Sequence, residues 1–252
     1  MTTPKLVAHR GYMQHFPENS LRGLQAALES GACYIEFDVQ MNADQDFIVI
    51  HDDSFSRTAG LKQSVFAAST ATCLAISVHE PNRFGKQFHP EPVSLLTDIL
   101  ELTKQFPQTT ILVEIKEESL QHWGLKLVMD KLLRQLKEHA NQCMVISFDA
   151  SAIEYTKQHS DLATGWVLHK YDQAHYRRAK QLKADILMCN YKKLPRSKAP
   201  WTEFKRWMLY DIIDPELAIH YGELGVELIE TADIDGMLKN PTLKKMACTH
   251  GI

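Results

Sequence analysis

Four short apolar runs in this chain end in residues that have no place in a hydrophobic core. Leu6-Val7-Ala8 delivers His9 and Arg10, and Phe47-Ile48-Val49-Ile50 delivers His51. Tyr34-Ile35-Glu36-Phe37-Asp38 carries two carboxylates, and Ile111-Leu112-Val113-Glu114-Ile115-Lys116 carries a carboxylate and an amine. Side chains alternate faces along a strand, so Glu36 and Asp38 point the same way, and so do Glu114 and Lys116. Three carboxylates meeting at one point repel one another unless a cation neutralises them. Oxygen donors select a hard ion, Mg2+ or Ca2+, over zinc. A lone Glu-x-Asp is more often a solvated strand edge. The second apolar strand, carrying Glu114, tips the reading toward metal ligation by Glu36, Asp38 and Glu114.

His9 and His51 each close an apolar strand. Singly, such a histidine is more often structural. As a pair beside carboxylates they suggest an acid and a base, because imidazole both gives and takes a proton near neutrality. Arg10 and Lys116 need anionic partners: either the internal carboxylates or the oxygens of a phosphate, which guanidinium and ammonium groups clamp. A metal, two cations and a histidine pair describe phosphodiester cleavage better than carbonyl or redox chemistry.

These residues need elements that bring strand ends together. Eight runs read as parallel strands: 5–9, 33–38, 110–116, 143–148, 163–168, 184–189, 206–213 and 225–230. Helical periodicity alternates with them, at 20–30, 94–106, 119–139, 150–159, 172–182 and 215–223. This predicts an α/β fold, a (β/α)8 barrel of the triosephosphate isomerase type, whose strand C-termini share one mouth. The run 47–51 follows 33–38 too closely for a parallel crossover, which needs about a dozen residues or more, so an antiparallel hairpin is expected there. Residues 52–92 lack periodicity and read as a partly helical insertion in a single domain spanning 1–252.

Composition narrows the classes. The chain has 252 residues, 44% apolar and 23% charged, as in an ordinary globular protein. The formal charge is −3 with no basic stripe, so nucleic acid is not an expected partner. No run approaches the roughly 20 apolar residues of a membrane span, and membrane contact is not indicated. The N-terminus lacks a secretory pattern, so a cytoplasmic location is expected. Five scattered cysteines read as reduced, buried thiols. The other ten histidines show no ligand spacing. A basic loop with Lys192, Lys193, Arg196, Lys198 and Trp201 reads as solvated, though its place after a strand could bring it to the mouth.

The combined pattern His9-Arg10-Gly11, Pro17-Glu18-Asn19-Ser20, Glu36-Phe37-Asp38-Val39, His51-Asp52, Arg57-Thr58 and Glu114-Ile115-Lys116 resembles the glycerophosphodiester phosphodiesterases. The match is dense over 5–60 and 111–117. The resemblance implies a triosephosphate isomerase-type barrel with an insertion, and a divalent ion on Glu36, Asp38 and Glu114. It also implies His9 and His51 as the general acid/base pair, Arg10 and Lys116 on the phosphate, and Glu18 and Asn19 lining or bracing the site. The implied reaction hydrolyses a small-molecule glycerophosphodiester to glycerol 3-phosphate and an alcohol. Two segments depart from the family. Tyr210-Asp211-Ile212-Ile213 stands where the family carries Trp-Thr-Val-Asn, with Tyr210 in the place of a stacking wall for the glycerol. Glu227-Leu228-Ile229-Glu230-Thr231-Ala232 stands where it carries Asp-Gly-Ile-x-Thr-Asp. Two rivals remain: a phospholipase acting on lysophospholipid or intact lipid head groups, with Phe55, Leu61, Phe66, Leu74, Phe84 and Phe88 of the insertion as a lip, and a non-catalytic phosphodiester-binding protein.

Overall fold

A computed structural model describes residues 3–194 and 198–248. Its strands are β1 (Lys5–Ala8), β2 (Tyr34–Met41), β3 (Phe47–Val49), β4 (Thr110–Ile115), β5 (Cys143–Ser147), β6 (Ala163–Val167), β7 (Ile186–Asn190), β8 (Trp207–Tyr210) and β9 (Leu228–Thr231). The eight strands other than β3 are parallel, and β1 pairs with both β9 and β2, which closes the barrel. The strand alternation sorts the core into two layers. Val7, Leu112, Ile146, Val167, Met188, Met208 and Leu228 fill the interior, while Leu6, Ala8, Ile35, Phe37, Val113 and Ile229 pack outward against the helices. Residues one step further along each interior row reach the mouth.

β3 is antiparallel to β2, with Val39 opposite Val49, as the short spacing required. Its turn carries Asp44-Gln45 in place of a more favourable Asp-Gly. Gln45 takes a left-handed φ of 63°, and Asn42 Oδ1 accepts from the amides of Asp44 (3.1 Å) and Asp46 (2.9 Å), holding the turn without glycine. Residues beyond β3 form short helices at Ser56–Ala59, Thr70–Leu74 and Pro81–Phe84. They share an apolar cluster of Ile48, Ile50, Phe55, Val65, Cys73 and Val78.

Three expectations are corrected. The helix expected at 119–139 is two helices, Glu117–Trp123 and Leu125–Leu136, because Gly124 (φ 84°) breaks it. The strand expected at 206–213 ends at Tyr210, where Asp211 turns to φ 69°. The cysteines are not all thiols. Cys33 and Cys248 form a disulfide across 215 residues, because the C-terminal tail runs back to the start of β2, where Cys248 N–H donates to Gly31 O at 3.0 Å. Cys73, Cys143 and Cys189 are free and buried.

Candidate active site

The first strand ends at Ala8, and His9 N–H still bonds the carbonyl of Thr231 on β9 (2.9 Å), which holds the imidazole at the mouth. Arg10 then takes a left-handed φ of 51°. That conformation aims its backbone N–H at Glu36 Oε2 (3.0 Å) while its guanidinium donates to Glu18 Oε1 (3.0 Å). Arg10 Nε also sits 3.0 Å from Asp38 Oδ2, an ion pair whose angle falls short of a hydrogen bond. Gly11 must be glycine: at φ 81° a Cβ would lie 2.7 Å from the backbone of Gly23 and Leu24. The next helix, Leu21–Glu29, is capped by Ser20 Oγ accepting from Gly23 N–H at 3.0 Å. Just before it, Asn19, also left-handed, clamps Asp38 twice. Its Nδ2 donates to Asp38 Oδ2 (3.0 Å) and its Oδ1 accepts from Asp38 N–H (3.1 Å).

Glu36, Asp38 and Glu114 are buried, and each offers an oxygen within 4.8 Å of the others. Asp38 and Glu114 are register neighbours on β2 and β4. Lys116 Nζ lies 2.7 Å from Glu114 Oε1 and 3.3 Å from Asp38 Oδ1. Burial works to raise the Asp38 pKa, but Arg10 and Lys116 overcome it and hold the carboxyl below the usual range. Burial and the neighbouring carboxylates push Glu36 well above that range. Glu114 is raised by burial, with Lys116 opposing. Glu36 Oε1 is buried with no hydrogen-bond partner. A buried carboxylate oxygen without a donor is costly unless a cation satisfies it. The residues therefore fit a hard divalent ion held by Glu36, Asp38 and Glu114.

His9 and His51 both line a cavity of about 170 Å³ at this mouth, with Arg10, Glu114, Lys116 and Tyr210. Burial, then Arg10, pull the His9 pKa down to about 3, so the ring is neutral at neutral pH. His51 Nδ1 is 2.6 Å from Asp52 Oδ1. Asp52 is held in turn by Arg57 Nε at 2.8 Å, and Arg57 clamps both oxygens of Glu18 at 2.5 and 2.7 Å. Through Glu18 this network ends on Arg10. Glu18 and Asn19 thus stand behind the cavity as braces, one holding Arg10 and the other Asp38.

His9, Arg10, Glu36, Asp38, His51, Glu114, Lys116 and Tyr210 lie together at this mouth, with Glu18 and Asn19 behind it. Two further carboxylates belong to the same place. Asp211 Oδ1 is 4.0 Å from His9 Nδ1, and Glu230 Oε2 is 3.9 Å from His9 Nε2. Glu230 ends an apolar run, the signal shared by the other strands. The basic loop takes no part among the described residues: Lys192 and Lys193 are exposed, Lys193 Nζ donates to Leu168 O at 3.0 Å, and Trp201 stacks on Tyr171 at 4.1 Å. Arg196 and His250 lie outside the described residues. No other described histidine joins a group able to hold a metal.

The sequence profile of the glycerophosphoryl diester phosphodiesterase family matches residues 9–203. The chain belongs to this family. A glycerophosphodiester phosphodiesterase of Caldanaerobacter subterraneus is 29% identical over 159 residues, covering 61% of this chain and 61% of its own length. One from Bacillus altitudinis is 32% identical over 123 residues, 48% of this chain and 49% of its own length. The chain spans about half to three-fifths of the length of these curated relatives. A phosphodiesterase of Oleispira antarctica, solved with the product sn-glycerol-3-phosphate, superposes with a TM-score of 0.83 at 21% identity over 94% of this chain and 96% of that one, a likeness of fold.

Proposed function

We propose that this chain hydrolyses small glycerophosphodiesters to glycerol 3-phosphate and an alcohol, with a divalent ion, Mg2+ or Ca2+, on Glu36, Asp38 and Glu114. The observation that carries this reading is the meeting of three buried carboxylates, two cations and two histidines at one barrel mouth. When bound, the ion neutralises the carboxylates and polarises a phosphoryl oxygen. Arg10 and Lys116 bind the remaining phosphoryl oxygens and offset charge that grows as the phosphorus becomes five-coordinate. Neutral His9 suits removal of the proton from the attacking oxygen. Asp52 fixes His51 through Nδ1 and leaves Nε2 to give a proton to the departing alkoxide as the P–O bond breaks. Tyr210 walls the cavity on the side of β8.

A lipid-facing variant of the activity draws little support. Of the six apolar insertion residues that could form a lip, Phe55 and Phe88 are buried, Phe84 packs on Phe88 and Phe66 stacks on His122 at 4.4 Å, which leaves only Leu61 and Leu74 exposed. Among the described residues no helix is long and apolar enough to cross a membrane. Deacylated phospholipids, which are water-soluble, are the substrates we favour. The histidine assignment is tested by His9→Ala and His51→Ala. Each should lower turnover of glycerophosphocholine by about 10²–10⁴-fold. Unchanged turnover in both variants would rule the assignment out.

A further inference from the structure

Glu230 is a buried carboxylate with no role in the scheme above. On β9, Leu228 faces the barrel interior and Ile229 packs outward, so Glu230 returns to the interior one layer nearer the mouth. Its register neighbour is Val7 on β1, two residues before His9. The side chain is buried, and Oε1 has no hydrogen-bond partner. Oε2 is 3.9 Å from His9 Nε2, beyond hydrogen-bond reach, so Glu230 is not placed to orient that ring. Arg10 and Lys116 are engaged elsewhere, on Glu18, Asp38 and Glu114. No Lys or Arg among the described residues forms an ion pair with Glu230.

The neighbours of this carboxylate show what it could serve. Glu36, Glu230 and His9 present donor atoms within 4.8 Å of one another, and so do Glu36, Asp38 and Glu114. Glu36 belongs to both groups, and its Oε1 also lacks a partner. The two groups meet at Glu36, and two buried carboxylate oxygens there lack a donor, one on the shared residue itself and one on Glu230.

We infer that Glu230 is a fourth carboxylate ligand of the divalent ion, beside Glu36, Asp38 and Glu114, and that it biases the site toward Ca2+ over Mg2+. The inference rests on the metal reading above. Ca2+ accepts about six to eight oxygens in flexible geometry, whereas Mg2+ demands an octahedron and keeps several waters. An additional protein carboxylate therefore gives more to the larger ion.

The test is calorimetry on chelator-stripped protein, full chain, titrated separately with CaCl2 and MgCl2. The wild type should bind one ion per chain, with Ca2+ the tighter. Glu230→Gln should weaken Ca2+ by about tenfold or more and Mg2+ by less, while Glu36→Gln weakens both. In chelator, Glu230→Gln should melt no lower than the wild type, since it removes an unpartnered charge; a collapse of its fold would mark a structural role and overturn the inference. Wild-type affinity for both ions in Glu230→Gln would also overturn it, and would leave the three-carboxylate site standing. A wild type that binds neither ion would instead remove the metal reading itself.

Discussion

His51 and Asp52 are adjacent in the chain, and their side chains meet at 2.6 Å, Nδ1 to Oδ1. A carboxylate on Nδ1 fixes the tautomer and leaves Nε2 to face the reaction. Asp52→Asn removes the negative charge that stabilises the ring when it carries a proton on both nitrogens, the form that gives one up from Nε2. Turnover should fall, by less than in His51→Ala, with KM for glycerophosphocholine little changed. Steady-state kinetics of the two variants decide this; a change in KM alone would contradict it.

Asp52 also links the site to acid stability. Its hydrogen bond to His51, then Arg57, hold its pKa below the usual carboxylate range against the effect of burial. The folded state therefore binds fewer protons than the unfolded one as pH falls. Stability contributed by Asp52 is complete above its ordinary pKa of about 3.9 and is lost as pH drops toward the lowered value. Urea midpoints measured from about pH 6 down to pH 3 should fall more steeply for the wild type than for Asp52→Asn. Parallel slopes would show that the pair does not couple to folding.

Asn19 makes two hydrogen bonds to Asp38, one to the carboxylate and one to the backbone amide. Asn19→Ala leaves the Asp38 amide buried without its partner and strips one donor from the carboxylate, and denaturant unfolding should register a loss of about 1–3 kcal/mol. Alanine also tolerates the left-handed φ of 57° poorly. Asn19→Gly relieves that strain and keeps the hydrogen-bond loss, so both variants should be destabilised, glycine less. A glycine variant as stable as the wild type would mean the clamp on Asp38 contributes nothing.

The barrel was legible because its strands are apolar runs of the right length, and the site because those runs end in His9, Glu36, Asp38, His51, Glu114 and Lys116. What stayed hidden depended on contacts remote in sequence or on single backbone torsions. Nothing local in Cys33 or Cys248 shows that the C-terminal tail returns to β2. The early end of β8 follows from one residue, Asp211, entering the left-handed region. Gly124 carried a visible signal, since glycine inside a helical pattern is a breaker, but the apolar spacing on both sides masked it. Glu230 carried the same signature as the other site residues. Its meaning needed the barrel closure that places β9 beside β1.

The central claim is metal-assisted cleavage of a glycerophosphodiester at this mouth. Its most direct test follows glycerol 3-phosphate released from glycerophosphocholine by the purified chain, with Mg2+ or Ca2+, then with excess chelator, then with metal restored. The account predicts release with metal, arrest on chelation and recovery on re-addition. No product with either ion, or a rate indifferent to the chelator, would contradict it.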